Sequence, residues 1–278
     1  MRVDVLSLFP ELIEKYSSTS ILKLAQEQAL LEVHAHNPRD FSTDKHKKVD
    51  DICYGGGAGM LLSPQPFVDC LDSVLQDLKL EGLQVEDLKQ GQLEHPQERD
   101  YEIIITSPAG ETLDQKLAQE LSTKSNLIML CGRYEGFDER IKNLATREIS
   151  LGDFVLTGGE LAALTILDAS ARLIPGVLGD DQSNIDESFS SQNYLEILKE
   201  LKVSKRELED FVNRCDLDSI EELRDMQLLE YPHYTRPKDF RGQKVPLVLE
   251  SGDHKAIALW RLEQAIKATR LKRKDLLT

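Results

Sequence analysis

A chain of 278 residues with 40% apolar side chains can bury a core in one or two domains. No run in it approaches the roughly 18 consecutive apolar residues of a membrane span. A formal net charge of −15, taken alone, argues against a nucleic-acid binder. The cysteines (Cys53, Cys70, Cys131, Cys215) lack paired short spacings, which points away from a zinc site or disulfide framework and toward reduced thiols in a cytoplasmic protein.

The N-terminus, Met1 to Phe9, alternates like a strand and lacks a small-residue cleavage site, so it is expected to be structure and not a signal peptide. Strands are predicted over 3–8 and 30–36, with a helix over 19–29 between them. The spacing of Phe67, Val68, Leu71, Val74, Leu75 and Leu78 predicts a helix over 64–80. Residues 81–100 are polar and read as a surface excursion. Strands over 102–106 and 127–130 follow, separated by a helix over 113–121, and a helix is expected over 159–171. Apolar strands alternating with helices predict an α/β fold with a parallel sheet covered on both faces. Residues 180–190 are polar and loop-like, and 191–227 carry two or three short amphipathic helical patterns. The chain closes on a helix over 253–273, with Asp253 as its cap and Ile257, Trp260 and Ile266 on its inner side. A second, mostly helical domain after about residue 190 is expected.

Charge is unevenly distributed. Residues 180–225 hold fourteen acidic and six basic side chains, and 255–278 hold seven basic and two acidic. Phosphate attraction is screened beyond roughly 10 Å, so this basic tail can meet a polyanion on an acidic molecule. A solvated helix face has the same composition, and charge alone does not separate the two.

Three turns follow strands: Thr106-Ser-Pro-Ala-Gly110, Cys131-Gly132 and Ser150-Leu-Gly152. Ligands of open parallel sheets collect at the carboxyl ends of strands, so these turns are expected to converge on one crevice. The glycine cluster Tyr54-Gly-Gly-Gly-Ala-Gly-Met60 is neither a Walker loop nor a dinucleotide fingerprint: Gly-Lys-Ser/Thr does not follow, and Met60 stands where a third glycine is needed. It reads equally as a mobile surface loop or as backbone that lets a ligand approach. Arg172 precedes the acidic stretch Asp180, Asp181, Asp186 and Glu187. That pairing reads either as a surface ion pair or as a proton acceptor beside a stabiliser of negative charge.

Several strings carry a resemblance: Val3 to Pro10, His46 to Asp51 with Tyr54 to Met60, Cys131 to Gly136, Ile149 to Glu160, Ile174 to Leu178, Tyr231 to Pro237, and Val245 through Gly252 to Arg261. With these the chain resembles the bacterial tRNA (guanine-N(1)-)-methyltransferases, members of the knotted SPOUT class. The likeness covers nearly the whole chain apart from 81–100 and 191–227. It implies a deep trefoil knot closing the α/β domain over 1–180 and a small helical tRNA-binding domain over 228–278; between them, over 181–227, the chain departs from the family, its linker carrying an acidic, helical insertion of some thirty-five residues at 191–227. It further implies S-adenosylmethionine as methyl donor, a need for magnesium with no residue assigned to a metal, and a homodimer with its active site between subunits. The substrate implied is tRNA, methylated at the guanosine immediately 3′ of the anticodon, which helps maintain the reading frame.

Carried residue by residue, the resemblance places the cofactor on Thr106, Ser107, Pro108, Gly132, Tyr134, Glu135, Gly136, Ser150, Leu151, Gly152, Asp153, Phe154, Val155, Leu156, Gly158 and Gly159. It places the target tRNA on Asp50, Gly59, Ser183 and His233. Arg172 matches the family's arginine beside the guanine carbonyl, and Glu187 stands where the family has its aspartate base. Asp186, one residue earlier, is the alternative base. Ile52-Cys53 replaces the usual basic residue and proline. The alternative functions are a knotted methyltransferase acting on another RNA and an RNA-binding relative with impaired catalysis; the glutamate at 187 is the feature that favours the latter.

Overall fold

The computed structural model describes residues 1–80, 98–179, 187–189, 191–224 and 226–277. It divides into two compact units, 1–179 and 180–278. In chain order the first holds β1 (Arg2–Leu6), α1 (Pro10–Ser17), α2 (Ser20–Glu27), β2 (Glu32–His36), the hairpin β3 (Asp50–Ile52) and β4 (Met60–Leu62), and α3 (Pro64–Leu78). Then come β5 (Tyr101–Thr112), α4 (Gln115–Ser122), β6 (Asn126–Leu130), α5 (Glu139–Lys142), β7 (Arg147–Ser150) and α6 (Glu160–Ala171).

Five strands form one sheet in the order β2-β1-β6-β5-β7, and every neighbouring pair is parallel. Alternation along each strand sends side chains to opposite faces. Ile103, Ile105, Ile128 and Leu130 pack with Phe67, Leu71 and Leu75 of α3. Ile104, Leu127, Met129, Val3 and Val5 pack on the other face with Ile13 of α1, Leu22 of α2, Leu121 of α4 and Leu167 of α6. Both faces are therefore covered, which is why these strands read as unbroken apolar runs. Asp4 lies wholly buried in β1. Burial would raise its carboxyl pKa, but hydrogen bonds from His36 (2.7 Å) and Arg2 (2.9 Å) outweigh that and hold it below the usual range.

Several elements depart from the sequence expectation. Helix α1 starts on Pro10 and buries only Ile13 and Ser17, too narrow a stripe for periodicity to register. Strand β5 runs to Thr112 instead of ending near 106, because its pairing with β7 skips from Thr106 to Glu111 and resumes. The turn read at 106–110 is thus a bulge within a strand. The hairpin β3–β4 went unread; its two three-residue strands flank the glycine cluster. The predicted excursion at 81–97 lies outside the described residues.

The described residues of the second unit contain α7 (Tyr194–Glu200), α8 (Lys205–Arg214) and α9 (His254–Lys272), with two small strand pairs and turns between them. The pair β8 (Ser191–Gln192) and β9 (Met226–Gln227) brings the two ends of the 191–227 segment together. Read from sequence as part of a linker, this segment shares one core with the tail helix: Leu195, Leu198, Leu208, Phe211 and Leu223 pack with Leu262, Ala265 and Ile266. Asp253 caps α9 through the Ala256 N–H (3.0 Å), as its position predicts. Of the three residues expected on its inner side, Ile266 is fully buried. Trp260 is only half-buried and sits 6.3 Å, ring to ring, from Tyr234.

Candidate active site

The parallel register sets Leu130 of β6 level with Ile105 of β5, and Ile105 with Glu148 of β7. The segments leaving these strands emerge together at the carboxyl edge of the sheet, where ligands of such sheets bind. They enclose a cleft of about 250 Å3.

Fifteen of the sixteen residues named for the cofactor line it. They are Thr106, Ser107 and Pro108 from the β5 bulge; Gly132, Tyr134, Glu135 and Gly136 after β6; and Ser150, Leu151, Gly152, Phe154, Val155, Leu156, Gly158 and Gly159 after β7. Asp153 is the exception and is exposed. Arg133, Ile149, Thr157 and Ala162 also line the cleft and were not singled out.

Direct backbone contacts lace the loops together. Arg133 and Gly158 form an isolated antiparallel bridge, and Gly159 N donates to Gly132 O at 2.8 Å. No side chain fits there: a Cβ on Gly159 would stand 2.1 Å from Thr106 Oγ1 and 2.8 Å from Gly132 N. The glycine cluster belongs to the same assembly. Glu135 N donates to Met60 O at 3.1 Å, Leu62 N donates to Gly136 O at 2.9 Å, and the Glu135 side chain lies against Gly59. Gly59 therefore borders the cleft-lining loop. Asp50 opens β3 at the far end of that hairpin. Cys131, under the cleft, is wholly buried; burial, reinforced by Glu160, drives its thiol pKa far up, so it stays protonated and is no nucleophile.

Arg172 ends α6, its N–H bonded back to Asp168 O at 3.4 Å. Glu187 stands in the second unit, lining a cavity of about 310 Å3 with Tyr194, Leu198, Tyr231, His254 and Arg261. The next two residues are pinned there. Glu230 N donates to Ser188 Oγ (2.9 Å), and Phe189 N donates to Leu228 O (2.8 Å). His233 is exposed, 2.8 Å from Glu230, with its ring tilted against that of Tyr231, over which the Arg261 guanidinium lies at 4.8 Å. Ser183 and Asp186 lie outside the described residues. Among the described residues, no group of three or more His, Cys, Asp or Glu side chains could hold a metal ion, and no helix is long and apolar enough to cross a membrane.

The model of the family described as tRNA (Guanine-1)-methyltransferase TrmD matches residues 1–207 and 211–278. The chain belongs to that family. It is similar to proteins named tRNA (guanine-N(1)-)-methyltransferase from several bacteria. With the one from Dictyoglomus turgidum it is 42% identical over 277 residues, covering 100% of this chain and 90% of the relative. With that of Lactiplantibacillus plantarum it is 44% identical over 278 residues, covering 100% and 91%. With that of Bacillus cereus the identity is 42% over 278 residues, covering 100% and 92%. Family membership implies S-adenosylmethionine as the methyl donor, and the cleft suits it. Three loops present peptide groups, while Ile149, Leu151, Phe154 and Leu156 offer apolar cover for a nucleoside.

Proposed function

We propose that the chain transfers a methyl group from S-adenosylmethionine to ring nitrogen one of the guanosine immediately 3′ of the anticodon in tRNA, helping to maintain the reading frame. The observation that carries this reading is the convergence of the β5, β6 and β7 loops on one nucleoside-sized cleft in a chain of this family. When bound, the donor supplies an electrophilic methyl group on a cationic sulfur. The loops of the cleft hold and orient it through backbone amides and carbonyls and exclude water from its apolar faces.

Ring nitrogen one of guanine carries a proton and becomes a nucleophile only as that proton leaves. Glu187 takes the proton, with the same acid chemistry as aspartate and one more methylene of reach. Arg172 neutralises the negative charge that grows on the guanine carbonyl. Asp50, Gly59 and Ser183 contact the target nucleotide, while His233 and the basic tail hold the tRNA. The interlaced contacts of Arg133 with Gly158 and Gly132 with Gly159 support a chain threaded as a deep trefoil knot. Large exposed apolar side chains on and beside α1, α2 and α6 (Phe9, Leu12, Tyr16, Ile21, Leu24 and Leu161) support a homodimer whose active site lies between subunits. A tRNA substrate and reduced cysteines suit the cytoplasm. No residue is assigned to magnesium, and no step runs through it.

The test is incubation of the full chain with labelled donor and tRNA lacking the modification, followed by nucleoside analysis. Labelled 1-methylguanosine is expected, and it disappears when the target guanosine is replaced by adenosine. Label in another nucleoside, or none, refutes the reading. Glu187→Ala is expected to lower the rate about 10²–10⁴-fold with donor binding retained. Full turnover by that variant would transfer the role to Asp186, which Asp186→Ala then tests.

A further inference from the structure

Beneath the cleft lies a charged cluster that the methyl-transfer scheme does not use. Glu160, the first residue of α6, is 1% exposed. Its carboxylate meets two other segments of the chain. Ser7 Oγ, just beyond β1, donates to Oε1 at 2.8 Å, and the Arg133 guanidinium lies 2.8 Å from Oε2. Arg133 also donates to Thr157 O at 3.2 Å and covers the Phe9 ring at 4.4 Å. Phe9 is itself tied down, its N–H donating to Ser7 Oγ at 2.9 Å.

Taking such a pair out of water is expensive, and an apolar pair of similar size would serve stability as well or better. The arrangement carries a further cost, because Arg133 Nε and Glu160 Oε2 are both buried without a hydrogen bond, the latter held by charge alone. Gly158 covers Arg133 Nε: a Cβ there would come within 2.2 Å of it. Unlike an apolar contact, a guanidinium fork fixes direction as well as distance. One end of the guanidinium donates to the carbonyl of the loop after β7, the other is ion-paired with the first residue of the helix that the loop enters, and its stem leaves the loop after β6. All three lie on the wall of the cleft.

We propose that Arg133 and Glu160 are positioning residues for the methyl donor: their buried ion pair, anchored on Ser7, sets the spacing between the 132–136 and 150–159 loops and so the width of the slot that receives adenosine. Neither residue touches the reacting atoms. The inference rests on the donor-binding reading of the cleft given above.

The experiment measures donor affinity by titration calorimetry and, separately, kcat at saturating donor and KM for tRNA, on wild type, Glu160→Gln and Arg133→Lys. Wild type must bind S-adenosylmethionine; if it does not, the reading of the cleft fails and not the pair. Glu160→Gln is expected to weaken donor binding at least tenfold, with kcat and KM for tRNA within about twofold of wild type. Arg133→Lys keeps the charge but loses the fork, and an intermediate loss of several-fold is expected. Donor affinity within twofold of wild type in folded Glu160→Gln overturns the proposal. If that variant does not fold, unchanged affinity in Arg133→Lys overturns it instead. A loss confined to kcat, with affinity intact, also overturns it, since that would place the pair in the chemistry.

Discussion

A methyl group on Gly159 has no space to occupy. Thr106 Oγ1 would lie 2.1 Å away, Gly132 N 2.8 Å and Cys131 Cα 3.0 Å; two of the three are backbone and cannot swing aside. Its φ of −81° is open to any residue, so the demand is for volume and not for conformation. Gly159→Ala is therefore expected to cost at least the roughly 1–3 kcal/mol of an overpacked site and to abolish donor binding by prising two loops apart. Urea denaturation with donor titration checks this, and an alanine variant with unchanged midpoint and affinity would contradict it. The need for glycine was visible in the string Thr157-Gly-Gly-Glu160, but its cause was not. The crowding atoms come from residues 106 and 131–132, distant in sequence. For the same reason Arg133 escaped notice, since its partner Glu160 looks like any acidic residue opening a helix until burial shows otherwise.

Besides its core contacts through Leu208 and Phe211, helix α8 is tied to α9 by an acidic side chain. Ser204 and Glu207 form a capping box, and Glu207 reaches Lys255 at the start of α9 at 2.6 Å. Hydrogen bonds from Lys255 and then Ser204 lower the Glu207 carboxyl pKa from its ordinary 4.5 to about 2. A group whose pKa falls on folding stabilises the native state above its unfolded value, and the contribution fades as pH drops through the folded one. Glu207→Gln should thus melt below wild type at neutral pH, with the gap closing as pH falls from about 4.5 toward 2. Thermal unfolding across that range decides, and a gap independent of pH would count against the tie. Helices with a wide apolar stripe, such as α3, were legible from periodicity. Short elements such as α5 (Glu139–Lys142) and the hairpin β3–β4 were not, because four or three residues hold too little of a repeat to distinguish it from chance.

Across the whole molecule, exposed large apolar side chains gather on the first unit. Leu161 is 59% exposed on a helix whose other face is packed against the sheet, and Leu24 is 52% exposed on α2. A second copy of the chain is the partner proposed for this surface. Light scattering should then give a mass near twice 31.5 kDa for wild type and near 31.5 kDa for Leu161→Asp, with methyl transfer lost in the latter. A monomeric wild type with full turnover would remove the dimer from the mechanism. Charge at this scale is equally uneven. The 191–227 segment is acidic, yet its apolar residues join Leu262 and Ile266 in one core, so it is a structural part of the second unit.

The type and order of the longer elements, and the place of the turns after β6 and β7, were determined by sequence alone. Each is encoded locally, in the alternation of apolar side chains, in caps such as Asp253, and in glycines placed after buried strands. Only the tertiary structure decided that the Thr106–Gly110 turn is a bulge inside β5. It alone made the glycine cluster at 54–60 a neighbour of Glu135, and Arg133, Glu160 and Ser7 one buried network. These depend on parallel register, which pairs residues tens of positions apart, and no local pattern carries that information.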